Sequence, residues 1–123
     1  MNHPDPAARY VAAVVTLYIE MPDTPMRVSA SDQWLARHFH QNGVPLETVE
    51  TALLLGSLRR LIRPADSPHL APIRSLAYFR PVIEELQENP APENYREYLR
   101  LKLRMATQKQ PAEAQKNTFS DDR

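Results

Sequence analysis

Four arginines, Arg59, Arg60, Arg63 and Arg74, bracket a proline-rich stretch in the middle of the chain. A guanidinium is a planar fork of N–H donors that matches phosphate oxygens. Brought onto one surface, the four could neutralise a polyanion, with affinity falling steeply as salt rises. Between Ser57 and Arg80, five arginines stand against one acid, Asp66; between Asn94 and Gln110, five bases, including Arg96, Arg100 and Arg104, stand against Glu97. The plainer reading is a solvated basic face with dipole pairing at a helix end. Arginine outnumbers lysine twelve to three, a bias that genome composition also produces. Thr48 and Thr51 are the candidates for contacts to base edges, because a threonine methyl can meet that of thymine. Glu47 and Glu50, beside them, would repel phosphate.

Other chemistries find less support. His38 and His40 are two apart, so on a helix they point about 200° from one another and cannot share an ion. Glu84 and Glu88 are an i, i+4 carboxylate pair near Glu85, but no histidine, nucleophile or glycine-rich phosphate loop accompanies them. They read as a solvated acidic face. Ser57 and Ser75 lie among arginines without a base. There is no cysteine, which excludes thiolate metal sites and disulfides. The expectation is a non-enzymatic chain without cofactor or metal.

A chain of 123 residues, 42% of them hydrophobic, suits one folded domain with a single core. Formal net charge is zero, which argues against coating nucleic acid by bulk charge. The first residues lack the basic head and apolar run of a secretory leader, and the apolar stretches are too short to span a bilayer. A soluble cytoplasmic protein is expected.

Twelve prolines and two glycines punctuate segments rich in Ala, Leu, Arg and Glu. These are good helix formers, and proline starts or follows helices. The pattern predicts an all-α, compact five-helix domain over residues 1–107, then a disordered polar tail over 108–123. Helix one runs from about Pro6 to Met21 with Asp5 as cap; its VAAVVTLYI run also has strand propensity. Helix two follows Ser29, whose spacing to Asp32 fits a capping box, and it ends at Asn42-Gly43. Trp34, Leu35, Phe39 and His38 are placed inward.

Helix three runs from Pro45 to about Ile62, and Gly56 within it implies close approach of another helix. Pro64 to Pro72 read as an extended loop where a wing would lie, so the wing is absent or rudimentary. Helix four covers Ile73 to about Gln87, kinked or broken at Pro81. Helix five runs from about Pro92 to Thr107, with Tyr95, Tyr98, Leu99, Lys102 and Leu103 inward. The expected core comprises Trp34, Leu35, Phe39, Val49, Leu53, Leu58, Leu76, Phe79, Tyr95 and Leu99. Leu53, Leu54 and Leu55 point in three directions, which offers a dimer seam.

The segment from Ser31 to Arg63 followed by PIRSLAYFRPVIEEL (Pro72–Leu86) resembles helix-turn-helix modules in replication and accessory proteins of bacterial mobile elements. It is similar to segments of plasmid replication initiators and of helicase-loader proteins of the DnaD type. The likeness covers about half of the chain and rests on Gly43, Gly56, Arg59, Arg60, Ile73, Arg74, Ser75, Tyr78 and Phe79. The sequence departs from it in lacking a clear wing and in carrying Pro81. The resemblance implies DNA binding and self-association, not catalysis.

The expectation is therefore a helix-turn-helix-like protein that dimerises and binds double-stranded DNA, as an accessory factor in replication or transcription of a mobile element. Arg59, Arg60, Arg63 and Arg74 would hold phosphates, helped by Arg96, Arg100 and Arg104. A variant of this reading buries helix three and leaves the contacts to the basic rim and helix five. The competing expectation is a protein-interaction adaptor, using the leucine surface of helix three or the acidic face at Glu84 to Glu88.

Overall fold

A computed structural model describes residues 5–109. Five α-helices and one short 3-10 helix make up the regular structure, and the described residues contain no strand. The chain is all-α, as its proline-bounded segments predict. The 108–123 tail falls almost wholly outside the described residues.

Local chemistry sets most of the boundaries. Helix α1 spans Pro6–Glu20; the Asp5 carboxylate accepts from the Ala8 amide, and Pro6 occupies the first turn. Helix α2 spans Ala30–Gln41 and opens on a complete capping box: the Ser29 hydroxyl accepts from the Asp32 amide while Asp32 accepts from the Ser29 amide. It stops where Gly43 takes φ +73°, a conformation glycine adopts without Cβ strain. Helix α3 spans Leu46–Leu61.

Near Pro81 the segment is broken into two short helices rather than kinked as one, and the break comes just before the proline. Ile73 to Ser75 lie outside any helix, Ser75 being extended, a 3-10 helix covers Leu76–Phe79, and α4 runs Arg80–Glu88 with Pro81 in its first turn. Ser75 caps the 3-10 segment through the Ala77 amide, which gives the chain a start after Ile73. Pro81 then begins a helix rather than interrupting one, since the donor it lacks would be unpaired there anyway. Helix α5 covers Tyr95–Lys109, three residues later at its start and two at its end than the spacing suggests.

Helix α3 is the axis of the fold and packs against α1, α4, α5 and the 3-10 helix. Every residue from Thr51 to Leu58 is buried. Leu53, Leu54 and Leu55 all lie inside this chain's own core, so the dimer seam expected there is not available. The same burial removes the leucine surface assigned to an adaptor. Gly56 admits the ring of Phe79, which in turn meets Tyr18 edge-to-face at 6.3 Å between centroids.

Asp32 fastens α2 to the rest. It is buried, and beyond its capping role it accepts from the Leu76 amide at 2.9 Å. Tyr18 is fully buried, and its hydroxyl has no hydrogen-bond partner among the described residues. Burial, then the negative charge of Asp32, raises the Tyr18 pKa.

Four inward placements are corrected by the fold. Trp34 is 62% exposed. Leu35, Ala36 and Phe39 line the buried side of α2 with Asp32, and Trp34 lies on the far side of the same helix. His38 is half-buried and stacks on Trp34 rather than entering the core. On α5 the buried residues are Leu99 and Leu103; Tyr98 and Lys102 are exposed, the lysine lying over the Tyr98 ring.

Candidate nucleic-acid interface

The two adjacent arginines at the end of α3 go to different neighbours. Arg59 crosses to α4 and donates to both oxygens of Glu85, at 2.9 and 2.7 Å. The Arg59 hydrogen bond holds the Glu85 carboxyl below its usual range. Arg60 turns to the α1–α2 connection, donating to Asp23 at 2.6 Å and to the Ala71 carbonyl at 2.8 Å. Its side chain is only 8% exposed and lies over the Tyr78 ring. Arg63 donates to the Pro68 carbonyl at 2.7 Å, folding over its own loop.

On α5, Arg96 and Arg100 both clasp Glu50 of α3. Asp23 and Glu85 each offset the charge of the one guanidinium they touch, Glu50 offsets one of the two charges it holds between Arg96 and Arg100, and each carboxylate would itself repel a phosphate. The Arg59–Glu85 pair is exposed on both sides and so contributes little to stability, but for recognising a polyanion what matters is the opposing charge. Arg59, Arg60, Arg96 and Arg100 therefore do not form the free phosphate-binding plate expected of them. Arg74 and Arg104 are exposed and form no ion pair among the described residues.

The expected base-reading threonines are poorly placed as folded. Thr51 is buried, and its hydroxyl donates to the Glu47 carbonyl one turn back. Thr48 is half-buried in a groove of about 540 Å³ shared with Glu47, Glu93 and Arg96. With its middle covered on all sides, α3 cannot lie in a DNA groove. The α2–turn–α3 unit is present as two helices around a glycine turn, but the second helix is the core of the domain.

A different surface combines exposed aromatic and cationic groups without acids. From Met26 to Asn42 the only carboxylate is Asp32, and it is buried. The outer side of α2 carries Trp34, Arg37, His38 and Gln41. The indole of Trp34 lies nearly parallel to the His38 imidazole, 10° apart in plane with centroids 5.1 Å apart. The other side of that imidazole unit is steadied by Asn42, whose amide lies 2.9 Å from His38 Nε2. This leaves a propped aromatic surface with Arg37 one turn away on the same helix.

Arg27 and Arg74 border the N-terminal end of α2. Arg27 precedes the Ser29 cap, and the segment through Arg74 is tied down on either side of it. Ile73 donates to the Asp23 carbonyl at 2.9 Å, and Leu76 donates to Asp32. Arg27, Arg37 and Arg74 are all exposed, and none has a carboxylate partner among the described residues. Sequence reasoning passed over Arg27 and Arg37 and put Trp34 in the core. The signal was available in the helical spacing, since Leu35, Ala36 and Phe39 cannot all point inward unless Trp34 points out.

The two histidines serve separate contacts: His38 with Trp34 and Asn42, His40 edge-on to Tyr10 at 5.0 Å. Among the described residues no three His, Asp or Glu side chains cluster as metal ligands would. Ser75 caps the 3-10 helix and approaches Asp32 at 3.5 Å, and Ser57 is buried without a hydrogen-bond partner among the described residues. No described helix is long and apolar enough to cross a membrane. No family model, curated protein or solved structure matches this chain.

Proposed function

We propose that this protein is a non-enzymatic DNA-binding module whose contact surface is the outer side of α2 and its N-terminal border. The observation that carries the reading is Trp34: the chain's single tryptophan stands 62% exposed on the same helix as Arg37, which forms no ion pair among the described residues. Exposed aromatic rings stack on bases, and each such contact is worth about 1–3 kcal/mol by alanine substitution. Base faces are open in an unpaired strand and closed in a duplex, so the preferred substrate is single-stranded DNA or a duplex with an unpaired segment. Arg27, Arg37 and Arg74 would hold its phosphates.

This moves the interface from α3 to α2 and retains Arg74 from the original arginine set. The resemblance to replication accessory proteins of mobile elements agrees with a substrate carrying unpaired strands, and a cytoplasmic setting belongs to the same reading. A protein-interaction adaptor is the competing class. Of the two surfaces expected for it, only the exposed Glu84 and Glu88 remain, because the leucines of α3 are enclosed.

Fluorescence anisotropy of a labelled single-stranded oligonucleotide, measured over a salt series, tests the proposal. The logarithm of affinity should fall linearly with the logarithm of salt, by about 0.7 per phosphate contact on a single strand. Arg37→Ala and Arg74→Ala should each flatten that slope, whereas Arg96→Ala and Arg100→Ala should leave it unchanged. Binding that depends on Arg96 and Arg100 instead, or no binding at low salt, would overturn the reading.

A further inference from the structure

Helix α5 is apolar on two sides. Leu99 and Leu103 are buried against the domain. On the outer side Tyr98, Leu101 and Met105 are 52%, 50% and 43% exposed. Their spacing of three and then four residues repeats on one stripe of a helix, as in a coiled-coil seam. Large apolar side chains in such a row normally mark an interaction surface, whereas single ones need no explanation.

The charges flanking this stripe are complementary to themselves. Glu97 and Arg104 are seven residues apart and therefore lie on the same flank. Both are exposed, and neither has an ion-pair partner among the described residues. Lys102, on the other flank, is already engaged with the Tyr98 ring at 5.7 Å, and Tyr95 stacks beside that ring.

We infer that the outer stripe of α5 is a homodimer interface, occupied by α5 of a second copy running antiparallel. A two-fold axis between Tyr98 and Leu101 sets Tyr98 of one copy against Leu101 of the other. The same operation brings Glu97 opposite Arg104 of the second copy, and the reverse, because a two-fold pairs each flank with itself. Lys102 then faces the second copy's tyrosine stack, where a cation is welcome. The inference is independent of the α2 surface, which lies on another helix and binds a different partner.

Helix α5 has 15 residues, a length of about 22 Å at the standard rise. A seam one helix long falls at or below the roughly 1,200–2,000 Å² of a stable interface, so the dimer should be concentration-dependent. Sedimentation equilibrium of the full chain, from micromolar to millimolar concentration, tests it. The mass should rise from one chain toward two. Leu101→Asp should hold it at one chain throughout, with an unchanged circular dichroism spectrum because the residue is exposed.

Glu97→Arg should weaken association by about tenfold, equivalent to roughly 1.4 kcal/mol, at low salt. Combining it with Arg104→Glu should restore the parental constant. A monomer at every concentration, a Leu101→Asp variant that dimerises like the parent, or a charge swap that restores nothing would each overturn the inference.

Discussion

The ring of Phe79 occupies the space where a side chain at Gly56 would begin: a Cβ built there would lie 2.8 Å from Phe79 Cδ1 and 2.9 Å from Cε1. Gly56 is in the middle of α3, where glycine is less favourable than alanine by about 1 kcal/mol. The fold keeps it because Phe79 is fully buried and has nowhere to retreat. Gly56→Ala should therefore destabilise the protein by about 1–3 kcal/mol despite its better helix propensity. Urea unfolding monitored by circular dichroism checks this, and a more stable variant would show that Phe79 moves aside freely.

Neighbouring arginines should differ sharply in their effect on stability. Arg60 ties Asp23, the Ala71 carbonyl and the Tyr78 ring together from a nearly enclosed position. Arg60→Ala should cost about 1–3 kcal/mol, because the Asp23 carboxylate and a carbonyl lose their donor. Arg59 and Glu85 are both about half exposed, and Arg59→Ala should change stability very little. Paired denaturation curves for the two variants give the comparison; equal losses would contradict it.

Alkaline pH should destabilise the fold through buried phenols. Tyr10 donates to the Val44 carbonyl at 2.8 Å, and burial pushes its pKa up to about 12 from 10.0. A tyrosine becomes charged by losing its proton, so a raised folded pKa means the folded state holds the proton longer than the unfolded state does. The contribution is complete below about pH 10 and is lost as pH rises toward 12. Tyr18 shifts in the same direction. Tyr10→Phe should flatten the fall in stability between pH 10 and 12. Tyr18→Phe should in addition hold or raise stability at neutral pH, since it deletes a buried hydroxyl that has no partner among the described residues. Unfolding midpoints across pH for each variant would show it, and a large neutral-pH loss for Tyr18→Phe would indicate an undetected partner.

The parts of the fold legible in the sequence were those fixed by neighbours along the chain. Asp5 before Pro6, Ser29 three residues from Asp32, and the glycine after Asn42 each act within one turn, so their spacing is enough to place the ends of α1 and α2. Gly56 also signalled the close approach that Phe79 makes. The break near Pro81 was visible, but its form depended on Ser75 capping the segment first and on Asp32 receiving the Leu76 amide from 44 residues away. Such a contact has no trace in local spacing.

The candidate site was less legible for the same reason. The acids that pair with Arg59, Arg60, Arg96 and Arg100 are 26 to 50 residues distant along the chain. A run of arginines reveals composition, whereas potential depends on which carboxylates fold against them. Trp34 was misplaced because a large aromatic suggests core, although its position relative to Leu35 and Phe39 put it outside.

The interface proposed on α2 is tested most directly by the emission of Trp34 itself, since the protein has no other tryptophan. Titration with single-stranded DNA at low salt should quench that fluorescence to saturation, and added salt should reverse the quenching as phosphate contacts are lost. Emission that stays constant while the oligonucleotide is added, or quenching equally strong with fully paired duplex, would contradict a stacking surface at Trp34.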